Sequence, residues 1–233
     1  MPAVHLRRVR SFVRRPGRTT AGQTRALERL FPVWGIAFSR ETLDLSAVFG
    51  RSAPCVLDIG FGNGEALLTM AANHSEVDFV GVEVHEPGVG HLLMLVERAG
   101  VTNIRVINRD VIDVIDAMIA DESFDAVNIF FPDPWPKKRH HKRRLIQNGF
   151  VRKLARTMKR GALLHVATDW QDYAEQIQTV LHQAGSLVEA TKDQLRECPL
   201  AARPPTKFER RGIRLGHSVW DLYYRTRARD RNR

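Results

Sequence analysis

Only two cysteines, Cys55 and Cys198, occur in this 233-residue sequence, and they stand far apart. They cannot build a disulfide framework, and none of the Cys and His spacings that hold zinc is present. No metal site is therefore expected, and a reducing cytoplasm is the natural compartment. No apolar run reaches the roughly 18 residues of a membrane span. The opening MPAVHLRRVRSFVRRPGR lacks the apolar core, about 7–15 residues long, of a secretory signal. It is Arg-rich and poor in acids, as transit peptides are. Phe12, Pro16 and Gly17 interrupt any long amphipathic helix, however, and a flexible basic arm that folds onto RNA accounts for the composition equally well. Internal repeats are absent too.

Acids are nearly missing from three segments. Residues 1–29 hold eight Arg against one Glu, 137–144 hold six Lys and Arg with no acid, and 225–233 hold five Arg against one Asp. The whole chain is only +10, so the remainder is net acidic. Basic appendages on an acidic body suit a polyanionic partner, because each phosphate neutralised releases condensed counterions. The plainer reading is cationic tails that keep the chain soluble. With 43% hydrophobic residues, the length suits one large domain: a basic arm over residues 1–35, a body over 36–225 and a basic tail over 226–233. Monomer and homodimer are both compatible with this.

From residue 54 onward, short β-rich runs alternate with longer helical patterns. Strands are expected at Val56–Ile59, Phe79–Val82, Ile104–Ile107, Ala126–Phe131 and Leu163–Ala167. The fourth is a continuous apolar run broken only by Asn128, as in a strand buried on both faces. Helical patterns fall at Glu65–Ala72, His91–Arg98, Leu145–Met158 and Tyr173–Ala184, and His217–Arg225 reads as a late strand at the sheet edge. The order is that of an α/β fold with a doubly wound, mostly parallel sheet and one antiparallel late strand.

Asp58-Ile59-Gly60-Phe61-Gly62-Asn63-Gly64 joins the first strand to the first helix. Glycines there let the chain turn sharply, and Gly60 lets backbone approach a ligand. The third glycine comes one residue early for a dinucleotide fingerprint, and a carboxylate precedes the first. An acid at that strand tip repels a pyrophosphate and suits a cation. S-adenosylmethionine (SAM) carries a sulfonium and an ammonium, so an acidic rim of Asp58, Asp110 and Asp133 fits it electrostatically. Glu83 ends the second strand, where it can accept from both ribose hydroxyls, and Asp110 follows the third, where it can accept from the adenine amine. Singly, such acids are helix caps or turn residues; together they mark successive strand tips.

FFPDPWPKKRHHKRR, Phe130–Arg144, follows the fourth strand. Pro132, Asp133, Pro134 and Trp135 can frame a flat polar ring, and the cations behind them can hold its phosphates. The alternative is a proline-stiffened loop before a solvated basic helix. These blocks, with RSFVRRPGR, GVEVHEPG, ATDWQDYA and TKFERRG, are similar in content and order to the bacterial tRNA (guanine-N7-)-methyltransferases, a SAM-dependent family with a Rossmann-like fold. The resemblance covers most of the chain. It implies transfer of a methyl group to N7 of a guanine in the variable loop of tRNA, with S-adenosyl-L-methionine as the cofactor and no metal.

Carried over position by position, the resemblance makes Asp58, Glu83, Asp110 and Asp133 the SAM-contacting acids and Asp133 the catalytic residue as well. Lys137, Asp169, Thr206, Lys207, Phe208 and Glu209 become substrate contacts, and Arg139, His140, His141, Lys142, Arg143 and Arg144 an RNA-contact stretch. Where the family often has Glu, this chain has Asp58, one methylene shorter. Trp135 and Phe208 are candidates for stacking on the base, while Trp170 and Trp220 read as structural. Three alternatives stand beside this reading. One is methylation of another RNA base, which usually places an Asn or Asp, two prolines and an aromatic in direct succession rather than Pro-Asp-Pro-Trp-Pro. The others are a non-catalytic RNA-binding module, disfavoured by the presence of all four acids, and a NAD-linked oxidoreductase, which leaves the basic run unexplained.

Overall fold

A computed structural model describes residues 19–206, 209 and 218–227 of the chain. Its centre is a seven-stranded sheet in the order β3-β2-β1-β4-β5-β7-β6. The strands are β1 (Cys55–Ile59), β2 (Asp78–Val82), β3 (Ile104–Ile107), β4 (Phe124–Phe130), β5 (Met158–Thr168), β6 (Leu187–Glu189) and β7 (Trp220–Thr226). The first five pair in parallel, and β7 lies antiparallel between β5 and β6. The chain winds outward from β1 through β2 to β3, then returns to place β4 on the other side of β1. That reversal opens a crevice at the carboxyl ends of β1 and β4, where open α/β sheets bind ligands.

Side chains alternate across the sheet with period two, so each strand feeds two cores. In β1, Cys55, Leu57 and Ile59 face one core, together with Val127 and Ile129 of β4, under helices α5 (Val111–Ala117), α6 (Asn148–Thr157) and α7 (Gln171–Gln183). Val56 and Ala126 face the other, under α3 (Glu65–Asn73) and α4 (Glu86–Ala99). Helix α1 (Ala21–Trp34) packs on α4, burying Ala26 and Leu30. It is entered through a capping box in which Thr20 and Gln23 satisfy each other's backbone N–H groups. This helix lies within the stretch read from sequence as a basic arm. Short helices α2 (Leu45–Phe49) and α8 (Lys192–Arg196) complete the fold.

Several elements differ from the sequence expectation, which does not include α1, α2, α5, α8 or β6. Helix α4 starts at Glu86 rather than near His91, because Gly88 and Gly90 act as packing residues there and do not end the helix. A Cβ on Gly88 would stand 2.1 Å from the Gly62 carbonyl oxygen, so the missing side chain lets α4 touch the glycine loop. The helix expected over Leu145–Met158 is confined to Asn148–Thr157, and β5 follows it directly at Met158. The basic stretch Lys138–Arg143 forms a 3-10 helix. The late strand is antiparallel as expected, over Trp220–Thr226. No described helix is long and apolar enough to cross a membrane.

Both partners in the Gly88–Gly62 contact are backbone, so neither gives way cheaply. Gly88→Ala is expected to lower the unfolding free energy by about 1–3 kcal/mol, read as a drop in the thermal midpoint. Gly149→Ala, where a Cβ would meet nothing within 4 Å, should leave the midpoint no lower.

Candidate active site

A cavity of about 380 Å³ occupies the crevice at the reversal point, within the range of small-molecule sites. Its walls are Asp58, the glycine loop from Gly60 to Asn63, the first turns of α3, Phe130 and Phe131 at the end of β4, and Pro204–Thr206. The loop can bend this way because Gly60 and Gly62 take positive φ, 74° and 61°. Asp58 forms the acidic floor. It is only 3% exposed, and its Oδ2 has no hydrogen-bond partner. Burial, reinforced by the charge of Glu83 and opposed by a hydrogen bond from Asn128, pushes its pKa up to about 7.

Glu83 at the tip of β2 is buried and already organised. Its Oε2 accepts from the Gly62 N–H at 2.9 Å, and its Oε1 accepts from the N–H groups of Val84 and His85 at 2.7 and 2.9 Å. This carboxylate therefore ties the glycine loop to the start of α4 and keeps lone pairs for a ligand. Asp110 at the tip of β3 caps α5 through the Ile112 N–H, 3.0 Å. Asp58, Gly60 and Thr206 thus share one cavity, Glu83 braces its loop, and Asp110 stands at the next strand tip. Asp133 is exposed on the loop that leaves the cavity wall, Lys137 is the N-cap of the 3-10 helix, and Asp169 is half-buried between β5 and α7. Lys207 and Phe208 lie outside the described residues.

A polar row crosses the sheet beside the cavity. Asp58 pairs in register with Asn128, Asn128 with His165, and His165 with Tyr223. Asn128 Oδ1 and His165 Nδ1 are buried without partners, as is Asp58 Oδ2. His165 stacks on Tyr223 at 4.1 Å and meets Phe130 edge-on. Its Nε2–H donates to Asp221 at 2.7 Å, and burial holds its pKa below the usual histidine value. Burial of Asp221 would raise its pKa, but hydrogen bonds from His165 and Arg203 outweigh that and bring it down to about 2. Arg203, its side chain 6% exposed, grips Asp221 on one side and Glu209 on the other, with a 2.6 Å bond to Glu209 Oε2. Glu209 also accepts from the Thr206 N–H. Its carboxylate is therefore committed to holding the Thr206 wall.

The basic stretch divides. Lys137, Lys138, Arg139 and Lys142 are exposed, whereas His140, His141 and Arg143 are half-buried. Arg143 lies over the Trp135 ring at 5.0 Å, and His140 meets that ring edge-on. Packing around its ring and then the neighbouring Arg139 and Arg143 hold the pKa of His140 below the usual histidine value. Arg144 departs from the sequence reading as an RNA contact. Its side chain is 1% exposed and turned inward onto α7, with every end of the guanidinium engaged. No phosphate outside the protein can reach it in this arrangement.

Several site residues escaped the sequence reading: Asn128, His165, Asp221 and Arg203, and the pair Asp172 and Gln176 that receives Arg144. Asn128 and His165 left a trace as polar breaks in apolar strands, but only sheet register brings them together. For Arg203 and Gln176 no local signal exists, and Asp172, although within the ATDWQDYA block, carries nothing there that links it to Arg144. Among the described residues no cluster of His, Cys, Asp or Glu can hold a metal ion.

Comparison with known proteins bears directly on this crevice. Residues 52–222 match a family profile described as "Putative methyltransferase". The tRNA (guanine-N(7)-)-methyltransferase of Burkholderia vietnamiensis is 53% identical over 97% of this chain and 88% of its own length. The enzyme of the same name from Alkalilimnicola ehrlichii is 54% identical over 95% of this chain and 94% of its own. Among solved structures, the 16S rRNA methyltransferase KamB superposes with a TM-score of 0.55 at 14% identity, over 80% of this chain and 95% of that one. An antibiotic-related methyltransferase gives 0.53 at 14% identity, over 80% and 98%. The structures establish the methyltransferase fold, and the close relatives establish more: this chain belongs to the tRNA (guanine-N7-)-methyltransferase family.

Proposed function

We propose that this chain transfers the methyl group of S-adenosylmethionine to N7 of a guanine in tRNA, giving N7-methylguanosine. The observation that carries the reading is Asp58, a buried carboxylate with an unpartnered oxygen on the floor of the crevice, in a chain about half identical to enzymes of that name. The donor set fits the cofactor. Asp58 suits a cation, the glycine loop leaves room for close backbone approach, and Glu83 and Asp110 stand at the next two strand tips for the ribose and adenine. Bound there, S-adenosylmethionine would supply an electrophilic methyl on sulfur, and its thioether would leave with the electron pair of the C–S bond.

Guanine N7 has a lone pair and no proton, so no general base is required and the chain's task is orientation. Asp133, on the loop between the cavity wall and the basic 3-10 helix, is placed in the sequence to meet both cofactor and base. Its carboxylate stabilises the positive charge that guanine gains as the methyl arrives. Thr206 on the cavity wall, Asp169 between β5 and α7, and Lys207 and Phe208, outside the described residues, are assigned to the guanine and its nucleotide. Arg139, Lys142 and Arg143, with Lys137, form the phosphate-facing patch. A tRNA substrate places this activity in the cytoplasm.

Asp133→Ala is expected to lower the single-turnover rate of methyl transfer about a hundredfold with little change in tRNA affinity. Replacing Arg139, Lys142 and Arg143 by Ala should weaken tRNA binding and reduce its logarithmic salt slope by roughly two units. Full turnover in the first variant, or an unaltered slope in the second, contradicts the assignment.

A pH dependence follows from Asp58. Its folded pKa of about 7 lies above the ordinary 3.8, so its contribution to the stability of the ligand-free protein is fully present below that ordinary value and lost as pH rises through 7. A cationic ligand reverses the preference, since it is held by the ionised form. SAM affinity should therefore fall between pH 8 and pH 6 in the natural protein. Asp58→Asn should weaken SAM binding, flatten that dependence and raise the thermal midpoint of the free protein at pH 8. Calorimetric titration and thermal melts across this range check both; a flat affinity profile in the natural protein rules the idea out.

A further inference from the structure

Arg144 closes the basic stretch but shares neither the exposure nor the partners of the cations before it. Its Nε donates to the Pro134 carbonyl at 2.8 Å, Nη1 to Gln176 Oε1 at 2.5 Å, and Nη2 to the Asp172 carboxylate and to His141 Nε2. Its guanidinium lies 4.8 Å over the Tyr173 ring. Asp172, Tyr173 and Gln176 all belong to α7, so one side chain ties the Pro134 backbone to a helix packed on the sheet.

The stretch it grips is strained. Phe131 and Trp135, which bracket Pro132–Pro134, have φ of 52° and 44°, left-handed values that non-glycine residues hold only when their surroundings impose them. The upstream end is fixed by the Phe131 N–H donating to the Ala167 carbonyl of β5 at 2.8 Å. The downstream end has the Arg144 bond to Pro134. Asp133 therefore sits on a short span anchored at both ends, one anchor in the sheet and the other through Arg144 to α7.

We infer that Arg144 is a positioning residue for methyl transfer: it holds the Pro134 carbonyl to α7 and thereby sets the place of Asp133, rather than binding RNA. This rests on the reading of Asp133 as the catalytic residue. A planar guanidinium with its five N–H donors serves a carbonyl, an amide, a carboxylate and an imidazole at once, and a lysine ammonium with three donors does not.

The test is kinetic, using the full chain with SAM and tRNA. Arg144→Lys is expected to lower kcat roughly ten- to hundredfold, as for a displaced catalytic group, with the KM for SAM, the tRNA Kd and the salt slope of binding unchanged. Arg139→Ala should show the opposite pattern in affinity and salt slope. Because Arg144 acts through Asp133, the double variant Asp133→Ala/Arg144→Lys should be no slower than Asp133→Ala alone. If Arg144→Lys does not fold, Asp172→Ala with Gln176→Ala loosens the guanidinium while leaving it in place, and the same loss of kcat at unchanged tRNA affinity is expected. A fully active Arg144→Lys, a reduced salt slope, or losses that multiply in the double variant overturns the inference. Undiminished turnover in Asp133→Ala instead overturns the reading of Asp133, so the two failures are distinguishable.

Discussion

Asp58, Asn128 and His165 occupy matched positions on three adjacent parallel strands, and each carries a buried polar atom with no partner. Such atoms cost about 1–3 kcal/mol apiece when left unsatisfied, so a row of them is tolerated only in an otherwise well-packed sheet. Their strand neighbours supply that packing: Leu57, Val127 and Leu164 are at most 1% exposed. The row lies on the face covered by α3, with Met70 against Asn128. The architecture thus sets a desolvated carboxylate at the one place where the winding of the sheet opens a crevice. A carboxylate so placed is poorly stable alone and gains most from a cation, which is the property a sulfonium cofactor requires.

The same row reaches the opposite wall of the cavity. His165 binds Asp221, Asp221 binds Arg203, and Arg203 binds Glu209, which accepts from the Thr206 N–H. Each link pairs a buried or half-buried charge with an opposite charge or a hydrogen-bonding ring, the condition under which burial of ions is endured. The pathway fixes Pro204–Thr206 against Phe130 and Phe131, with the Arg203 guanidinium 5.7 and 5.5 Å from the two rings. Floor and wall of the crevice are parts of one polar assembly. The antiparallel β7, which contributes Asp221 and Tyr223, is what extends it past the parallel strands.

Much of this was legible in the residues. Apolar runs mark the five parallel strands, although β5 begins at Met158, five residues before its apolar run, and the glycine loop with its preceding acid points to a cationic ligand. The misreadings have physical causes. Gly88 and Gly90 look like helix breakers, yet they lie inside α4 because another backbone passes where their side chains would be. Charge counting placed Arg144 with its neighbours, since composition records the sign of a charge and not the direction of a side chain. Asn128 was visible as a break in a strand, but its company with His165 depends on register, which emerges only when strands pair. Arg203 has no local pattern at all, because its partners lie 6 and 18 residues away.

Strain and burial converge on the Pro132–Pro134 span. Two left-handed non-glycine residues cost about 1–3 kcal/mol each, and the two prolines between them, with φ fixed by their rings, reduce the conformations open to the unfolded chain at this turn. A loop left to itself would relax; this one is held between β5 and α7. The cost of arranging it is therefore met during folding by the core beneath α7, where Tyr173 is fully buried and accepts a hydrogen bond from the Ile146 N–H. Little of the orientation then has to come from substrate binding, which leaves the interaction with the RNA free to serve affinity. Within a single sequence motif the exposed cations and the buried one are thus separated in space: Lys137, Lys138, Arg139 and Lys142 face solvent, where they are proposed to meet the polyanion, while Arg144 is turned onto α7 and braces the loop proposed to align guanine N7, an atom that carries no proton.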